Sequence, residues 1–235
     1  MERSISHIYL IPSFLSENAK ETIPSYVIDA VKDCQVFYVE NERTARRYLK
    51  AIYKEIVIDD HEWVTIHKVE DTVKQQFRQH IKSGKNIGII SEAGCPGIAD
   101  PGQLLVDVAH QAGAIVKPLV GPSAILLALM ASGLNGQNFM FRGYLPIDNM
   151  ERNKTIHSLE DYAIKNNCTI LFIETPYRNN QMMESLLKQL KPTTKLCVAV
   201  NLTASNEQVY TKTVSEWKKK VPSIPKEPAM FCIGT

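Results

Sequence analysis

Ser91-Glu92-Ala93-Gly94-Cys95-Pro96-Gly97-Ile98-Ala99-Asp100-Pro101-Gly102 is the stretch on which the fold turns. It follows KNIGIIS, which reads as a buried strand, and precedes QLLVDVAHQAG, whose apolar residues recur at helical spacing. Glycines in such a loop let backbone amides come close to a ligand, and prolines hold the loop in one shape. A tight turn needs one or two such residues; this stretch has three glycines and two prolines. Open α/β sheets bind ligands at strand ends of this kind, so the stretch reads as a ligand loop.

The same alternation extends on both sides. HIYLIPS reads as a first strand cut off by Pro12, IPSYVIDAVKDC as a helix, QVFYVE (35–40) as a second strand, and ERTARRYLKAI as a basic amphipathic helix. EIVIDD (55–60) is predicted as a third strand, and Val69 to Ser83 as a helix that Gly84 caps. Beyond the loop, AIVKP is a strand, and Gly121-Pro122-Ser123 opens an apolar helix whose free N–H groups suit a carboxylate or a ribose hydroxyl. A domain boundary is placed there, giving domains 1–118 and 119–235. NFMFRGYLP, CTILFIE, KLCVAVNLT and QVYTKT read as further strands, with helices at MERNKTIHSLEDYAIKN, QMMESLLKQL and the segment after Thr213; EPAMFCIGT closes the sheet. Strands alternating with helices predict a two-domain α/β protein in which each domain is a mixed, largely parallel sheet with flanking helices.

Composition narrows the class. The 235 residues are 44% hydrophobic and 22% charged, with a formal net charge of +2. No overall basic field marks a nucleic-acid partner, though a local patch is compatible with that average. Five cysteines, odd in number and mostly inside apolar runs, read as buried reduced thiols. The six histidines show no metal-ligand spacing, so no metal site is expected. The longest apolar run, AILLALMA, is too short to span a bilayer, and the N-terminus lacks the apolar core of a signal peptide. A cytoplasmic, soluble protein is expected.

Four ordered blocks carry a resemblance. SGKNIGIISEAGCPGIADPG…GPSAILLALMASGL, FMFRGYLP, ERNK and FIETPYR follow in sequence the conserved blocks of the tetrapyrrole-methylase superfamily. Within it the chain is most similar to the small-subunit ribosomal RNA methyltransferase I group, which methylates a cytidine ribose 2′-oxygen. The resemblance implies two α/β domains, S-adenosylmethionine bound in the cleft between them, a homodimer and a small-subunit rRNA substrate. It also implies Ser91, Glu92, Ala93, Gly94, Ile98 and Ala99 as first-domain donor contacts, and Ser123 and Ala124 as second-domain ones. Leu171 and Phe172 would line the adenosine, with Leu202 and Met230 beside them. No Gly-x-Gly-x-x-Gly is present, so neither NAD nor FAD is inferred.

A ribose hydroxyl is a poor nucleophile, so a nearby base is expected. Glu40 and Glu174 each end a predicted strand at a family glutamate and are the catalytic candidates; a structural carboxylate is the competing reading for both. Arg43, Arg46, Arg152, Lys154 and Arg178 match basic family positions and suit RNA phosphates, and His61-Glu62 falls on a family His-Glu pair. The chain departs from the family where a Pro-x-Gly-Asn loop becomes Pro12-Ser13-Phe14-Leu15-Ser16, where Glu-Asp-Thr-Arg becomes Glu40-Asn41-Glu42-Arg43, and where Glu-Leu-Thr-Lys becomes Asn201-Leu202-Thr203-Ala204. These departures leave two alternatives open: methylation of a different, small-molecule acceptor, or a non-catalytic protein that binds the donor or RNA.

Overall fold

The structure is a computed structural model that describes residues 5–17, 19–66 and 71–235. The chain divides into two compact units, Met1–Ser123 and Ala124–Thr235.

The first unit is built on a five-stranded parallel sheet ordered β3-β2-β4-β1-β5. Its strands are β1 (His7–Ile11), β2 (Val36–Val39), β3 (Glu62–Thr65), β4 (Ile87–Ile90) and β5 (Ile115–Pro118). Every residue of β2 and of β4 is buried, as strands covered by helices on both faces must be. Helices α1 (Val27–Asp33) and α2 (Glu42–Ile52) pack Val31, Tyr48 and Leu49 against Ile11, Phe37 and Val39 on one face. On the other, α3 (Asp71–Lys82) and α4 (Gly102–Gln111) pack Phe77, Leu105 and Val108 against Ile8, Tyr38 and Ile89. Gly88 is required in β4: a Cβ there would stand 2.7 Å from the Phe37 ring and 2.8 Å from Ile11 Cδ1.

Strand order creates the position that matters. From β1 the chain crosses to β2 by way of α1; from β4 it crosses to β5 by way of α4, in the opposite direction and over the opposite face. Because β1 and β4 are neighbours, two adjacent carboxyl ends send their crossovers to opposite faces of the sheet. That is a topological switch point, where open parallel sheets bind ligands.

One predicted element is displaced. EIVIDD is not a strand: Ile58–Asp60 is a 3-10 turn, and the strand is Glu62–Thr65. An apolar run does not reveal its own register. Pairing Val36 with Glu62 lays Trp63 against Phe37, ring centroids 5.0 Å apart, and leaves Val57 exposed. The start of the predicted Val69–Ser83 helix lies outside the described residues.

The second unit departs from the expectation of a largely parallel sheet. Its strands are β6 (Phe139–Tyr144), β7 (Thr169–Glu174), β8 (Lys195–Val200), β9 (Gln208–Thr213) and β10 (Ala229–Gly234), ordered β6-β7-β10-β8-β9. Only β6–β7 is parallel; the other three pairings are antiparallel. The connection at 201–207 is too short for a parallel crossover and returns the chain as a neighbouring antiparallel strand. Nor does the last strand close the sheet: β10 is inserted at its centre, with all six residues buried. Helices α6 (Asn149–Asn166) and α7 (Asn179–Gln189) cover one face, where Phe172 and Phe231 stack 5.7 Å apart. Two shorter helices, α5 (Ala124–Ser132) and α8 (Val214–Lys219), complete the unit.

Candidate functional site

The two switch-point loops of the first unit are tied to each other. Ser13 N–H donates to Gly94 O at 2.9 Å and Gly94 N–H to Ser13 O at 3.3 Å. Ser13 Oγ donates to Ser91 O at 2.9 Å. Pro12 O accepts from Tyr48 Oη, and Phe14 meets the Tyr48 ring edge-on at 4.9 Å. The altered Pro12–Ser16 loop is thus a fixed structure, in which the serine hydroxyl takes up a carbonyl and Phe14 packs on α2.

The Ser91–Gly102 loop holds its shape through left-handed residues and one carboxylate. Gly94, Gly97 and Ala99 have φ of 75°, 82° and 62°. The alanine is strained by about 1–2 kcal/mol relative to the right-handed region. Asp100 accepts from Gly97 N–H at 2.9 and 3.0 Å and from Gly102 N–H at 2.6 Å, drawing the loop into a closed turn ahead of α4. A Cβ on Gly94 would lie 3.3 Å from both Leu15 Cδ2 and Pro122 O, so the glycine lets these three segments pack closely. Gly121 packs its bare Cα on Pro12, where a Cβ would fall 2.1 Å from Pro12 Cβ. Within this frame Ser91 and Gly94 are buried, while Glu92, Ala93, Ile98 and Ala99 face outward.

Glu40 follows β2 beside this loop. Its Oε1 accepts Glu92 N–H at 3.0 Å, and Glu92 Oε1 accepts Thr44 Oγ1–H at 2.6 Å. Burial pushes the Glu40 carboxyl above its ordinary value, the charges of Asp100 and Glu92 push the same way, and the Glu92 N–H opposes them. Asp100 is raised as well, by burial first. Asn41 caps α2 by accepting from Arg43 N–H and Thr44 N–H, which leaves the Arg43 side chain exposed. Arg46 is engaged locally instead: it pairs with Glu42, and its guanidinium lies 5.1 Å over the Trp63 ring.

In the second unit two sequence candidates acquire structural roles. Glu174 is not open to act as a base. Its Oε1 accepts from Thr175 N–H at 2.6 Å and from Arg178 Nε and Nη2 at 2.9 and 2.6 Å, with the side chain only 3% exposed. Arg178 is correspondingly bound to Glu174. Arg152 is 2% exposed, and its guanidinium donates to Ile147 O, Asn149 Oδ1 and Ser185 Oγ, so it is spent inside the unit. Lys154, one turn along α6, is exposed.

Leu171 and Phe172 do not line one surface, because successive strand residues point to opposite faces. Phe172 belongs to the α6–α7 core, whereas Leu171 points to the other face with Met230 and Cys232, which alternation on β10 places there. Leu202 is buried between Asn201 and Thr203, whose φ values are 53° and 72°. Two non-glycine residues in that region store strain of a kind that concentrates at functional loops. Thr203 Oγ1 is buried with no hydrogen-bond partner. Ser123 precedes α5, and Ala124 is its first residue. His61 and Glu62 part company: His61 Nδ1 lies 3.1 Å from Cys34 O, while Glu62 binds Lys85 at 2.8 Å and His80 at 3.1 Å. Sequence reasoning missed the Asp100 clamp and the Tyr48–Pro12 contact. The spacing of Asp100 between Gly97 and Gly102 was a readable signal for the first; nothing local announces the second. Among the described residues no cluster of histidine, cysteine and carboxylate side chains is arranged to hold a metal.

Known proteins agree with this architecture. The structure resembles the methyltransferase CobJ (TM-score 0.64, 15% identity, 99% of this chain and 94% of that one). It also resembles uroporphyrin-III-C-methyltransferase from Thermus thermophilus (TM-score 0.57, 15% identity, 97% and 92%). In sequence the chain is 30% identical over 210 residues to the Bacillus subtilis (strain 168) protein named ribosomal RNA small subunit methyltransferase I, covering 89% of this chain and 68% of that one. The Vibrio cholerae protein of the same name is 29% identical, with 89% and 69% covered. A Synechocystis protein of that name is 35% identical over 140 residues, 60% of this chain and 49% of its own length. The family model of tetrapyrrole (corrin/porphyrin) methylases matches residues 20–218, which include strands of both sheets and the Ser91–Gly102 loop, and the chain belongs to that family.

Proposed function

We propose that this methylase transfers a methyl group from S-adenosylmethionine to a ribose 2′-oxygen of small-subunit ribosomal RNA, in the cytoplasm and as a homodimer. The observation that carries the reading is the pair of rigid loops at the first unit's switch point, with the Glu40 carboxylate beside them. The residues fit the donor. The exposed Glu92–Ala93 turn, fixed by the Ser13–Gly94 bridge, presents main chain to a ligand, and Ile98, 55% exposed on a clamped loop, offers an apolar surface to adenosine. Ser91, Glu92, Ala93 and Ala99 complete the first unit's contribution. The bacterial relatives named for ribosomal RNA, 29–30% identical over most of this chain, support the acceptor.

When bound, the donor supplies an already activated methyl group on a sulfonium. The protein aligns the acceptor, an effect worth up to about 7–11 kcal/mol. Glu40 would take the hydroxyl proton on its second carboxylate oxygen as the O–CH3 bond forms and the S–CH3 bond breaks, leaving a neutral thioether. Its raised pKa makes it a stronger base than an exposed glutamate. Exposed Arg43 and Lys154 hold phosphates.

The test is incubation of the purified protein with labelled donor and undermethylated small ribosomal subunits. Label should enter the ribosomal RNA at a linkage that resists alkaline cleavage, and Glu40→Gln should slow incorporation about 100-fold or more. Unlabelled RNA, or label confined to a small-molecule acceptor, overturns the reading.

A further inference from the structure

Tyr177 is 82% exposed, the most exposed large apolar side chain among the described residues. It sits in the Pro176–Arg178 turn at the carboxyl end of β7, held between Glu174 and Arg178 by the carboxylate bonds described above. Lys226 Nζ lies 5.8 Å from its ring centroid. The main chain on either side of that lysine is fixed as well. Asn179 Nδ2 donates to Pro225 O at 3.1 Å and to Glu227 O at 2.8 Å. Asn180 exchanges two bonds with the main chain of Ile224, at 2.8 and 2.9 Å. Four side-chain bonds from the start of α7 thus set the segment that carries Lys226, and a bonded turn sets Tyr177. Both side chains thus rise from main chain that is already ordered, which lowers the entropy lost when they take up a ligand. Tyr144, 59% exposed, ends the parallel neighbour β6 at the same edge of the sheet, and Arg142 on that strand is exposed.

We propose that Tyr177 and Lys226 form a stacking platform for an unpaired RNA base, with the lysine on the adjoining phosphate. The proposal rests on the reading that the acceptor is RNA, and names the form of RNA that this unit recognises. An aromatic face takes any base, but only one that is not already stacked in a duplex. An ammonium alongside supplies the contact that single-strand grooves make to the backbone. A protein partner, including a second copy of this chain, would use the tyrosine without needing the lysine.

Binding of a fluorescent single-stranded oligoribonucleotide and of a hairpin-free duplex RNA to the full chain tests it, with donor affinity measured in parallel by calorimetry. Tyr177→Ala should weaken single-strand binding about tenfold; Tyr177→Phe should stay within about twofold, and Lys226→Gln should weaken binding and flatten its salt dependence. Donor affinity should be unchanged throughout. Equal affinity of Tyr177→Ala and the parent chain overturns the platform, as does a change of oligomeric state in Tyr177→Ala on sedimentation. If the parent chain binds the single strand in this way yet labels no ribosomal RNA, the methylation reading falls and the platform stands. If it labels the RNA while Tyr177→Ala keeps the parent's KM, the reverse holds.

Discussion

Arg152 lies in a Glu-Arg-Asn-Lys block that reads from sequence as a basic rim, yet it is 2% exposed and its three donor nitrogens serve Ile147 O, Asn149 Oδ1 and Ser185 Oγ. Two residues on, Lys154 is exposed. The two positions should therefore behave oppositely. Arg152→Gln removes the hydrogen bonds of a buried guanidinium and should lower stability by about 1–3 kcal/mol, read from urea unfolding. Lys154→Gln should change it by no more than about 0.5 kcal/mol. Equal, small effects at both would mean that the guanidinium is not structural. The same lesson holds for Glu174 and Arg178, each a candidate for separate chemistry and each found to be the other's partner. A residue's charge is legible in sequence; whether a neighbour has already used it is not.

At the scale of elements, β2, β3 and α3 are joined by a polar cluster. Tyr38 Oη and His80 Nδ1 are 3.1 Å apart, and His80 Nε2 lies 3.1 Å from Glu62, which Lys85 and Gln76 also bind. Burial lowers the His80 pKa, only partly offset by Glu62, and Lys85 above all lowers that of Glu62. Both groups are more acidic folded than unfolded, so the folded state holds fewer protons. Their contribution is full above the unfolded values of 6.5 and 4.5 and is lost as pH falls through the folded ones. Glu40 and Asp100, raised by burial, act in the opposite sense, so the cluster is isolated by comparison with a variant. The urea midpoint should fall between pH 7.5 and pH 4, and fall less in His80→Asn/Glu62→Gln; parallel curves would remove the cluster from the account. The elements joined here were mostly readable, since buried strands and amphipathic helices carry their period. The third strand was not: its place depends on Trp63 finding Phe37, a contact across the sheet.

For the whole molecule, each unit has its own sheet and core, and the second depends on its last strand. β10 pairs with both β7 and β8 at the middle of the sheet. Deleting Ala229–Thr235 should therefore unfold the second unit as a block rather than fray an edge. Hydrogen exchange should show β7 and β8 amides unprotected while β1 and β4 amides keep their protection. Retained protection in β7 would show the sheet to survive without its centre.

By itself the sequence determined the order of elements, the glycine-proline loop after β4 and the family, because strand runs, helical spacing and loop glycines are local properties of the chain. Tertiary structure alone decided that Ser13 pairs with Gly94 across the switch point, that β10 enters the centre of an antiparallel sheet, and which charged side chains remain open. Those outcomes depend on contacts between residues tens of positions apart, where pairing, burial and competition for partners are settled only when the surfaces meet.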